Sequence, residues 1–349
     1  MKTNNPEYLE RTFRHFAGMC DGQSPLYNAL SLAIAEDPHV RSLVSETPDG
    51  QPPVNLLFGA VHYLLLGGEE HPLAEYYPAV GGRRAPDENA YAAFADFCRR
   101  FRGAIVELVA TRRVQTSVPG RCGLLLPAFA LAADGAGGRP LYLVDVGASL
   151  GLNLMFDRYR YDYGNGRTCG PQSPALIRTE VRGDVPFPAP TRVPRVAGRV
   201  GVDITPGDLD DAASIRWVES MIWADQMDRI RLFREAVEIT RSVRPTVVRG
   251  DALDLLPGIL EGIPGDAFPC VYHSHSIYQV PKEERPRLDA ALADCSRRRE
   301  LAHVSLEWLG DDPGPRLHLT HLARGEGRRR HLADGDHHGR WIAWVDGGG

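Results

Sequence analysis

One segment constrains the fold more than any other: over residues 141–153 an apolar run passes directly into a turn that contains two glycines. The run, LYLVDV, is almost entirely apolar, which is typical of a central parallel strand covered on both faces. Gly147 and Gly151 allow a ligand to approach the backbone, and a helix beginning after the turn would direct its N–H groups at that ligand. The segment therefore predicts an α/β fold with a nucleotide-type site.

The spacing of the turn residues distinguishes between cofactors. The dinucleotide fingerprint G-x-G-x-x-G would require glycines where this chain has Ser149 and Leu152, so a nicotinamide oxidoreductase is disfavoured. The pattern D-x-G-x-x-x-G, beginning at Asp145, instead resembles the first motif of class I S-adenosylmethionine-dependent methyltransferases. A purely structural turn with the same glycines is the alternative. The residues that the resemblance assigns to the S-adenosylmethionine cofactor are Asp145, Gly147, Ser149, Gly151 and Asn153.

Acidic residues also end the next two strand-like segments. In VGVDITPGD the apolar run ends at Asp203, whose carboxylate can accept hydrogen bonds from a ribose diol. In TVVRGDALDLLP the run is followed by Asp251 and Ala252, a position from which a carboxylate can accept from an adenine amino group. Because ligands bind outside the carboxyl ends of strands in open α/β sheets, we expect all three residues at one crevice. Helix or turn capping is the alternative role of both acids.

Two histidines and a tyrosine follow the fourth strand-like run, FPCVYHSHSIYQ. Methyl transfer is an in-line displacement, so a base is needed only if the nucleophile must lose a proton. His273 and His275 are the candidate bases because imidazole titrates near pH ~6.5. In an extended backbone the two side chains would face the same side, where one could orient the other through a hydrogen bond. Tyr278 is a candidate for orienting the substrate. The alternative is that these three residues are ordinary polar residues of a loop.

The order of the predicted elements gives the fold class. Residues 1–135 carry helical periodicity, including one long amphipathic helix over residues 87–113. Over residues 136–349 five strands alternate with helices, and a hairpin with the charged run 324–330 at its tip closes the set. We therefore predict a helical N-terminal cap domain followed by a Rossmann-like S-adenosylmethionine-binding domain. Its class I methyltransferase sheet is mostly parallel, with an antiparallel last strand.

Sequence blocks along nearly the whole chain resemble DUF2332, a bacterial family of unknown function. The blocks include NLLFGAVHYLLLGGEEHPLAEYYP, VQTSVPGRCGLLLPAFALAA and LYLVDVGASLGLNLMFDRYRYDYG. The resemblance implies the methyltransferase fold behind a helical N-terminal region. Ser117 and Val118 depart from the Asn-Glu that the family pattern implies, and the segment 273–276 is richer in histidine than that pattern. Arg121, in the second block, is predicted to bind the cofactor carboxylate.

Composition and charge limit the possible partners. The chain has 40 Lys and Arg against 45 Asp and Glu, so nucleic-acid binding through overall charge is not expected. No stretch approaches the ~20 apolar residues of a membrane span, and the N-terminus lacks an apolar signal core, so we expect a cytoplasmic protein without a membrane partner. The 6 cysteines are dispersed, and no metal site is expected. Nothing in the sequence indicates an oligomeric state.

These features together predict an S-adenosylmethionine-dependent methyltransferase that acts on a small-molecule acceptor. The glycine turn and the acids at the strand ends would hold the cofactor. A catalytically inactive protein of the same fold that binds S-adenosylmethionine or a nucleotide is one alternative. A nicotinamide oxidoreductase is another, and it is less favoured because of Ser149 and Leu152.

Overall fold

The structure, a computed structural model, describes residues 5–164, 166, 168–310 and 314–346. The chain divides into two compact units. A helical unit comprises Met1–Thr116 and Asp210–Arg231, and a sheet unit comprises Ser117–Leu209 and Leu232–Gly349. This division differs from the predicted boundary at residue 135. The helix after Arg121 packs against strands of the sheet, and the segment around residues 210–231 has its contacts with the helices.

The α-helices are listed here in chain order. They are α1 (Pro6–Cys20), α2 (Pro25–Glu36), α3 (Pro38–Arg41), α4 (Pro53–Leu66), α5 (Ala90–Arg100), α6 (Arg102–Thr111), α7 (Cys122–Asp134), α8 (Ala212–Ser220), α9 (Met227–Val243), α10 (Ala252–Glu261) and α11 (Pro286–Ser296). In the described part of the chain, no helix combines the length and the apolarity that crossing a bilayer requires.

Polar side chains cap the first helices of the helical unit, and aromatic rings fill its core. The side chains of Asn5 and Ser24 accept hydrogen bonds from backbone N–H groups in the first turns of α1 and α2, which satisfies donors that a helix leaves unpaired. The rings of Tyr27 and Phe58 lie 4.7 Å apart, with Trp223 stacked on Tyr27 at 6.0 Å. The helix predicted over residues 87–113 is two helices, because the backbone leaves the helical conformation at Phe101.

The β-strands complete the sheet unit. They are β1 (Leu141–Val146), β2 (Arg160–Asp162), β3 (Thr168–Cys169), β4 (Leu176–Arg178), β5 (Glu180–Arg182), β6 (Val196–Asp203), β7 (Thr246–Arg249), β8 (Phe268–Ser274), β9 (Leu301–Glu307), β10 (Arg316–Ala323), β11 (Glu326–Gly335) and β12 (Trp341–Trp344). Within the described residues, nine strands form the main sheet in the order β5-β12-β11-β10-β9-β8-β1-β6-β7.

The centre of the main sheet is parallel and buried. Parallel pairs join β7 to β6, β6 to β1, β1 to β8 and β8 to β9. Val144 and Val271, paired across β1 and β8, lie in a hydrophobic core with residues of α10 and α11. The prediction of an α/β fold with a large, mostly parallel sheet is therefore confirmed. Because the chain runs from β1 toward β7 on one side and then from β8 toward β9 on the other, the strand order reverses beside β1.

The predicted C-terminal hairpin is wrong in detail. The pairs β9–β10, β10–β11 and β11–β12 are all antiparallel, so more than the last strand opposes the central five. Arg328 and Arg330 lie in β11 and pair with β10, whereas the turn that precedes them is at Arg324 and Gly325. The charged run 324–330 is polar, which predicts a loop tip, but β11 continues beyond it to Leu332 and Ala333, which are buried.

Candidate functional site

The candidate site lies at the carboxyl ends of β1, β6, β7, β8 and β9, all within the sheet unit. Parallel strands carry these ends to one edge of the sheet. The strand order reverses beside β1 at that edge, and such a switch point is where open α/β sheets bind ligands.

The backbone of the glycine turn is bonded within the protein. Gly147 N and Ala148 N donate to the carbonyl of Val202 at 2.8 and 3.2 Å, and Ser149 N donates to Asp203 Oδ2 at 2.8 Å. The next two amides, Leu150 N and Gly151 N, donate to Ser117 Oγ at 3.5 Å and to the Ala148 carbonyl at 2.7 Å. The amides of residues 147–151 are therefore engaged within the chain, and only N–H groups after Gly151 could take the ligand-binding role predicted for this segment.

Protein neighbours account for both glycines of the turn. Gly147 has φ +85°, and a Cβ there would lie 2.4 Å from the Cβ of Ser276. Ser276 Oγ donates to the Val146 carbonyl at 2.8 Å, so this serine occupies the space over Gly147. Gly151 has φ +73° and approaches Pro245. The segment that follows, Leu152–Arg158, is a 3-10 helix.

Asn153, on that 3-10 helix, makes contact with Cys122. Its Oδ1 lies 3.5 Å from Cys122 Sγ. Cys122 is fully buried, and it follows directly after Arg121. Asn153 therefore joins the glycine-turn segment to the start of α7.

Asp145 lies near the end of β1 and is 3% exposed. Burial raises the pKa of Asp145 to about 7, and the neighbouring Asp203 carboxylate acts in the same direction. The Tyr272 hydroxyl and the Arg121 guanidinium oppose this rise. A carboxylate that titrates near neutral pH at a strand end is typical of functional sites.

Asp203 and Asp251 bond to local backbone N–H groups. Asp203 Oδ1 accepts from Thr205 N at 2.8 Å, while its Oδ2 accepts from Ser149 N in the glycine turn. Asp251 caps α10, with Oδ1 accepting from Leu253 N at 2.8 Å, and Ala252 is the first residue of that helix. Asp251 is exposed and Asp203 half-buried. Both carboxylates keep lone pairs that can accept further hydrogen bonds.

A buried His–Glu pair lies at the ends of β8 and β9. His273 Nδ1 donates to Glu307 Oε1 at 2.7 Å, and the two side chains are 5% and 7% exposed. The same Oε1 accepts from Ser276 N and Ile277 N. Burial acts to raise the pKa of Glu307, but the hydrogen bonds from His273 and the two amides outweigh it and lower the pKa. Glu307 is thus an ionised acceptor that fixes the tautomer of His273 and leaves Nε2 as the basic nitrogen.

His275 does not pair with His273. Its ring lies 5.2 Å from that of His337 and its φ is +52°, because the chain turns sharply after β8. Burial lowers the pKa of His275, and nearby Arg121 and His337 lower it further. Tyr278 is 47% exposed. Of the two candidate bases, His273 has the partner that a general base requires, whereas His275 is held neutral.

Arg121 is a buried cation at the same edge. It is 6% exposed; its Nε donates to the His337 carbonyl at 2.9 Å and its Nη1 to the Ser274 carbonyl at 3.3 Å. Burial lowers the pKa of Arg121 to about 10, and the charges of Glu307 and Asp336 oppose that shift. Arg121 therefore remains charged at neutral pH.

Several of the buried polar atoms that have no hydrogen-bond partner among the described residues lie around this cluster. They include Ser149 Oγ, Ser274 Oγ, His275 Nε2 and Glu307 Oε2. Most buried polar groups in proteins are paired, so each exception calls for an explanation such as ordered water, an ion or a ligand. The carboxyl ends of β1, β8 and β9 are therefore suited to a polar ligand. No group of three or more side chains in the described ranges has the arrangement of a metal site.

Comparison of the sequence with models of protein families shows the family to which the chain belongs. The model of a family described as "uncharacterized protein conserved in bacteria (DUF2332)" matches residues 10–344. The chain belongs to the DUF2332 family. No curated protein matches the sequence significantly. The description of the DUF2332 family names no activity.

Glu307 is the residue of the DUF2332 site that the sequence analysis missed. It lies in β9, the fifth of the five strands predicted after residue 136, but the apolar pattern of that strand gives no reason to single out its acid. The parallel register pairs His273 with Ser305, two residues before Glu307, and so brings Glu307 to the end of β8. A buried acid at the end of an apolar strand next to the histidine-bearing strand is the signal that could have found it.

Proposed function

We propose that this DUF2332 protein is an S-adenosylmethionine-dependent methyltransferase that acts on a small-molecule acceptor. One observation carries the proposal. The strand order reverses beside β1, where the carboxyl ends of adjacent parallel strands bear Asp145, Asp203, Asp251 and His273. Such a switch point is the usual ligand site of an open α/β sheet.

The strand order supports a methyltransferase-like core. If β1, β6, β7, β8 and β9 are numbered 1 to 5 in chain order, they lie side by side as 3-2-1-4-5. This is the order of the first five strands in a Rossmann-type sheet, the kind of sheet that the resemblance to class I methyltransferases implies. The departure lies beyond β9, where β10, β11 and β12 continue as an antiparallel meander.

The side chains at the ends of β6 and β7 are suited to the nucleoside part of the cofactor. Asp203 uses one lone pair of each oxygen for backbone amides, which leaves acceptor capacity for a ribose diol. Asp251 is exposed and bonds the backbone through Oδ1, so its second oxygen can accept from an amino group. Asp145 is buried, so it would support the end of β1 from within the protein rather than contact the cofactor at an exposed surface.

His273 is the proposed general base. The cofactor supplies an electrophilic methyl group on a sulfonium sulfur. His273 Nε2 accepts the proton that an O–H or N–H nucleophile loses as it attacks, and the proton then resides on the imidazole. Glu307 stabilises the resulting imidazolium through the 2.7 Å hydrogen bond at Nδ1, as the acid of a catalytic triad does. Glu307 is a positioning residue in this scheme because it acts through His273.

Calorimetric titration with S-adenosylhomocysteine tests the proposal. We expect one site per chain with a dissociation constant well below 1 mM for the wild type, and at least about tenfold weaker binding for Asp251→Ser, which retains the helix cap but loses the carboxylate. Asp211→Ser is the matched control, because Asp211 caps α8 through Ala213 N and Ser214 N. Absence of binding at millimolar concentration would count against the proposal.

A binding protein without catalytic activity is the second candidate. Ser276 over Gly147 and the internally bonded amides of the turn favour it, because they limit the approach of a cofactor to the backbone. Tight binding of S-adenosylhomocysteine without methyl transfer to any of a broad panel of acceptors would support this candidate. Methyl transfer that His273→Asn abolishes would exclude it.

A further inference from the structure

We propose that Arg121 is the recognition site for a carboxylate on the methyl acceptor, so that the substrate class is a small carboxylic acid bearing an O–H or N–H nucleophile. The inference rests on the proposed function for the identity of the reaction. The anion site itself is formed by Arg121 and its surroundings alone.

Arg121 has no ion-pair partner among the described residues. Its guanidinium bonds two backbone carbonyls, those of Ser274 and His337. Carbonyl oxygens satisfy donors but carry no net charge to balance a cation. A buried charge is costly unless it is paired, and the guanidinium fork matches a carboxylate in shape. The site therefore favours an anionic ligand.

The two carboxylates whose charges act on Arg121 form hydrogen bonds with other groups. Glu307 accepts from His273 and from the amides of Ser276 and Ile277. Asp336 accepts from the Arg340 side chain and from His338 N. Neither carboxylate pairs with Arg121, so its charge is available to a ligand that enters from outside the chain.

Neutral donors and acceptors accompany the cation. Ser274 Oγ and His275 Nε2 are buried without hydrogen-bond partners in the described structure, and Ser274 is the residue whose carbonyl bonds Arg121. Partial desolvation raises the pKa of the half-exposed Tyr278, although Arg121 lowers it, so the phenol stays protonated at neutral pH. A hydroxyl, a neutral imidazole and a phenol are suitable donors to a carboxylate.

The position of Arg121 points to the acceptor rather than to the cofactor. Its carbonyl partners belong to the end of β8 and to the β11–β12 connection. Asp203 and Asp251, which are proposed to bind the nucleoside part of the cofactor, lie at the ends of β6 and β7 on the other side of β1. Ser274 directly follows His273, so a carboxylate at Arg121 would bring the rest of a small molecule to the proposed base.

The first experiment uses the wild-type chain and compares a carboxylate with its neutral amide. Succinate and benzoate are titrated calorimetrically beside succinamide and benzamide, with and without saturating S-adenosylhomocysteine. We expect saturable binding of at least one carboxylate and at least about tenfold weaker binding of its amide, since hydrogen bonds to charged groups are the stronger kind. Equal affinities, or no saturable binding of either carboxylate, would overturn the proposal.

The second experiment removes the cation. Arg121→Met should lose the preference for carboxylate by about 10- to 100-fold, and Arg121→Lys should keep part of it because the charge remains. Arg298→Met is the matched control, since Arg298 is exposed and paired with Glu261. If Arg121→Met weakens S-adenosylhomocysteine binding and leaves succinate and benzoate binding intact, Arg121 holds the cofactor and the acceptor assignment is wrong.

The two proposals fail separately in these measurements. The chain could bind carboxylates through Arg121 and yet not bind S-adenosylhomocysteine. That result would reject the methyltransferase proposal and the assignment of the carboxylate to a methyl acceptor, and only the anion site would remain. S-adenosylhomocysteine binding without any carboxylate preference would leave the methyltransferase and overturn the role of Arg121. A folded Arg121→Met variant with unchanged ligand binding would make Arg121 a purely structural link between two loops.

Discussion

On the two sides of β1, the carboxyl ends of the strands carry polar residues in different environments. On the β6–β7 side, Asp203 and Asp251 are half-buried or exposed and bond backbone amides of their own turns. On the β8–β9 side, His273, Glu307 and Arg121 are buried, and several polar atoms around them lack partners in the described chain.

The polar residues on the β6–β7 side have ordinary roles in turns and helix caps, whereas those on the β8–β9 side include buried charged groups. A carboxylate that caps a helix is explained by the helix, whether or not it also binds a ligand. A buried guanidinium beside unpaired polar atoms has no such local explanation. The β8–β9 side therefore holds the stronger evidence for a functional site, and the following predictions test this difference.

The largest effect is expected at Glu307. Glu307→Ala removes the acceptor of His273, Ser276 N and Ile277 N, and we expect a loss of about 3 to 5 kcal/mol in the free energy of unfolding, the usual cost of breaking a buried pair. Glu307→Gln, which keeps an amide oxygen as acceptor, should lose clearly less. Urea denaturation measures both, and equal stability of Glu307→Ala and the wild type would show that the buried pair does not support the fold.

A pH-dependent effect is expected at Asp145. The folded chain keeps the Asp145 proton up to about pH 7, whereas an unfolded aspartate loses it near 3.8. The wild type therefore loses stability as the pH rises from about 4 to 7. Asp145→Asn lacks this penalty and should be more stable than the wild type by roughly 2 to 4 kcal/mol at pH 8, at about 1.4 kcal/mol per pKa unit.

Thermal unfolding at pH 4 and pH 8 provides the control for Asp145→Asn. The difference between variant and wild type should be small at pH 4, where Asp145 is protonated in the folded chain, and largest at pH 8. An offset that does not change with pH would mean that packing, not ionisation, causes it.

A smaller effect is expected at Asp203. Asp203→Ala leaves Ser149 N and Thr205 N without their acceptor, and we expect a loss of about 1 to 2 kcal/mol in unfolding free energy, as for a removed cap. Hydrogen exchange of the Ser149 amide should accelerate in the same variant. Unchanged exchange there would show that the Asp203 carboxylate does not hold the glycine turn.

The smallest effect on stability is expected at Asp251. Asp251→Ala should cost about 1 kcal/mol through loss of the α10 cap, and Asp251→Ser only a few tenths. If Asp251→Ser also leaves S-adenosylhomocysteine binding unchanged, Asp251 is a helix cap alone. The β6–β7 side then keeps only one of its two proposed cofactor-binding residues.

Local patterns were enough to predict the central strands. The apolar runs at β1, β6, β7, β8 and β9 have the composition of buried parallel strands, and each is a strand in the structure. β11 was missed because its first residues are charged and exposed, so that the pattern there is typical of a loop. Apolar residues at helical spacing continue from residue 215 to residue 237, which alone would predict one helix, but α8 ends at Ser220 and α9 begins at Met227.

The site could be predicted only where its residues adjoin a strand end in sequence. The acids after β6 and β7 and the histidines after β8 satisfy that condition. Glu307 acts on His273 from 34 positions away, and the pairing depends on the register of β8 and β9. The bonded amides of the glycine turn depend on Val202 and Asp203 in another strand, so sequence could not show that the turn is closed.

A crystal structure of the chain with S-adenosylhomocysteine tests the central claim most directly. The account predicts ligand density across the carboxyl ends of β1, β6 and β7, with the ribose at Asp203, the amino group of the base at Asp251 and the sulfur facing His273. Density at another surface, or a crevice without ligand in crystals grown at saturating concentration, would contradict it.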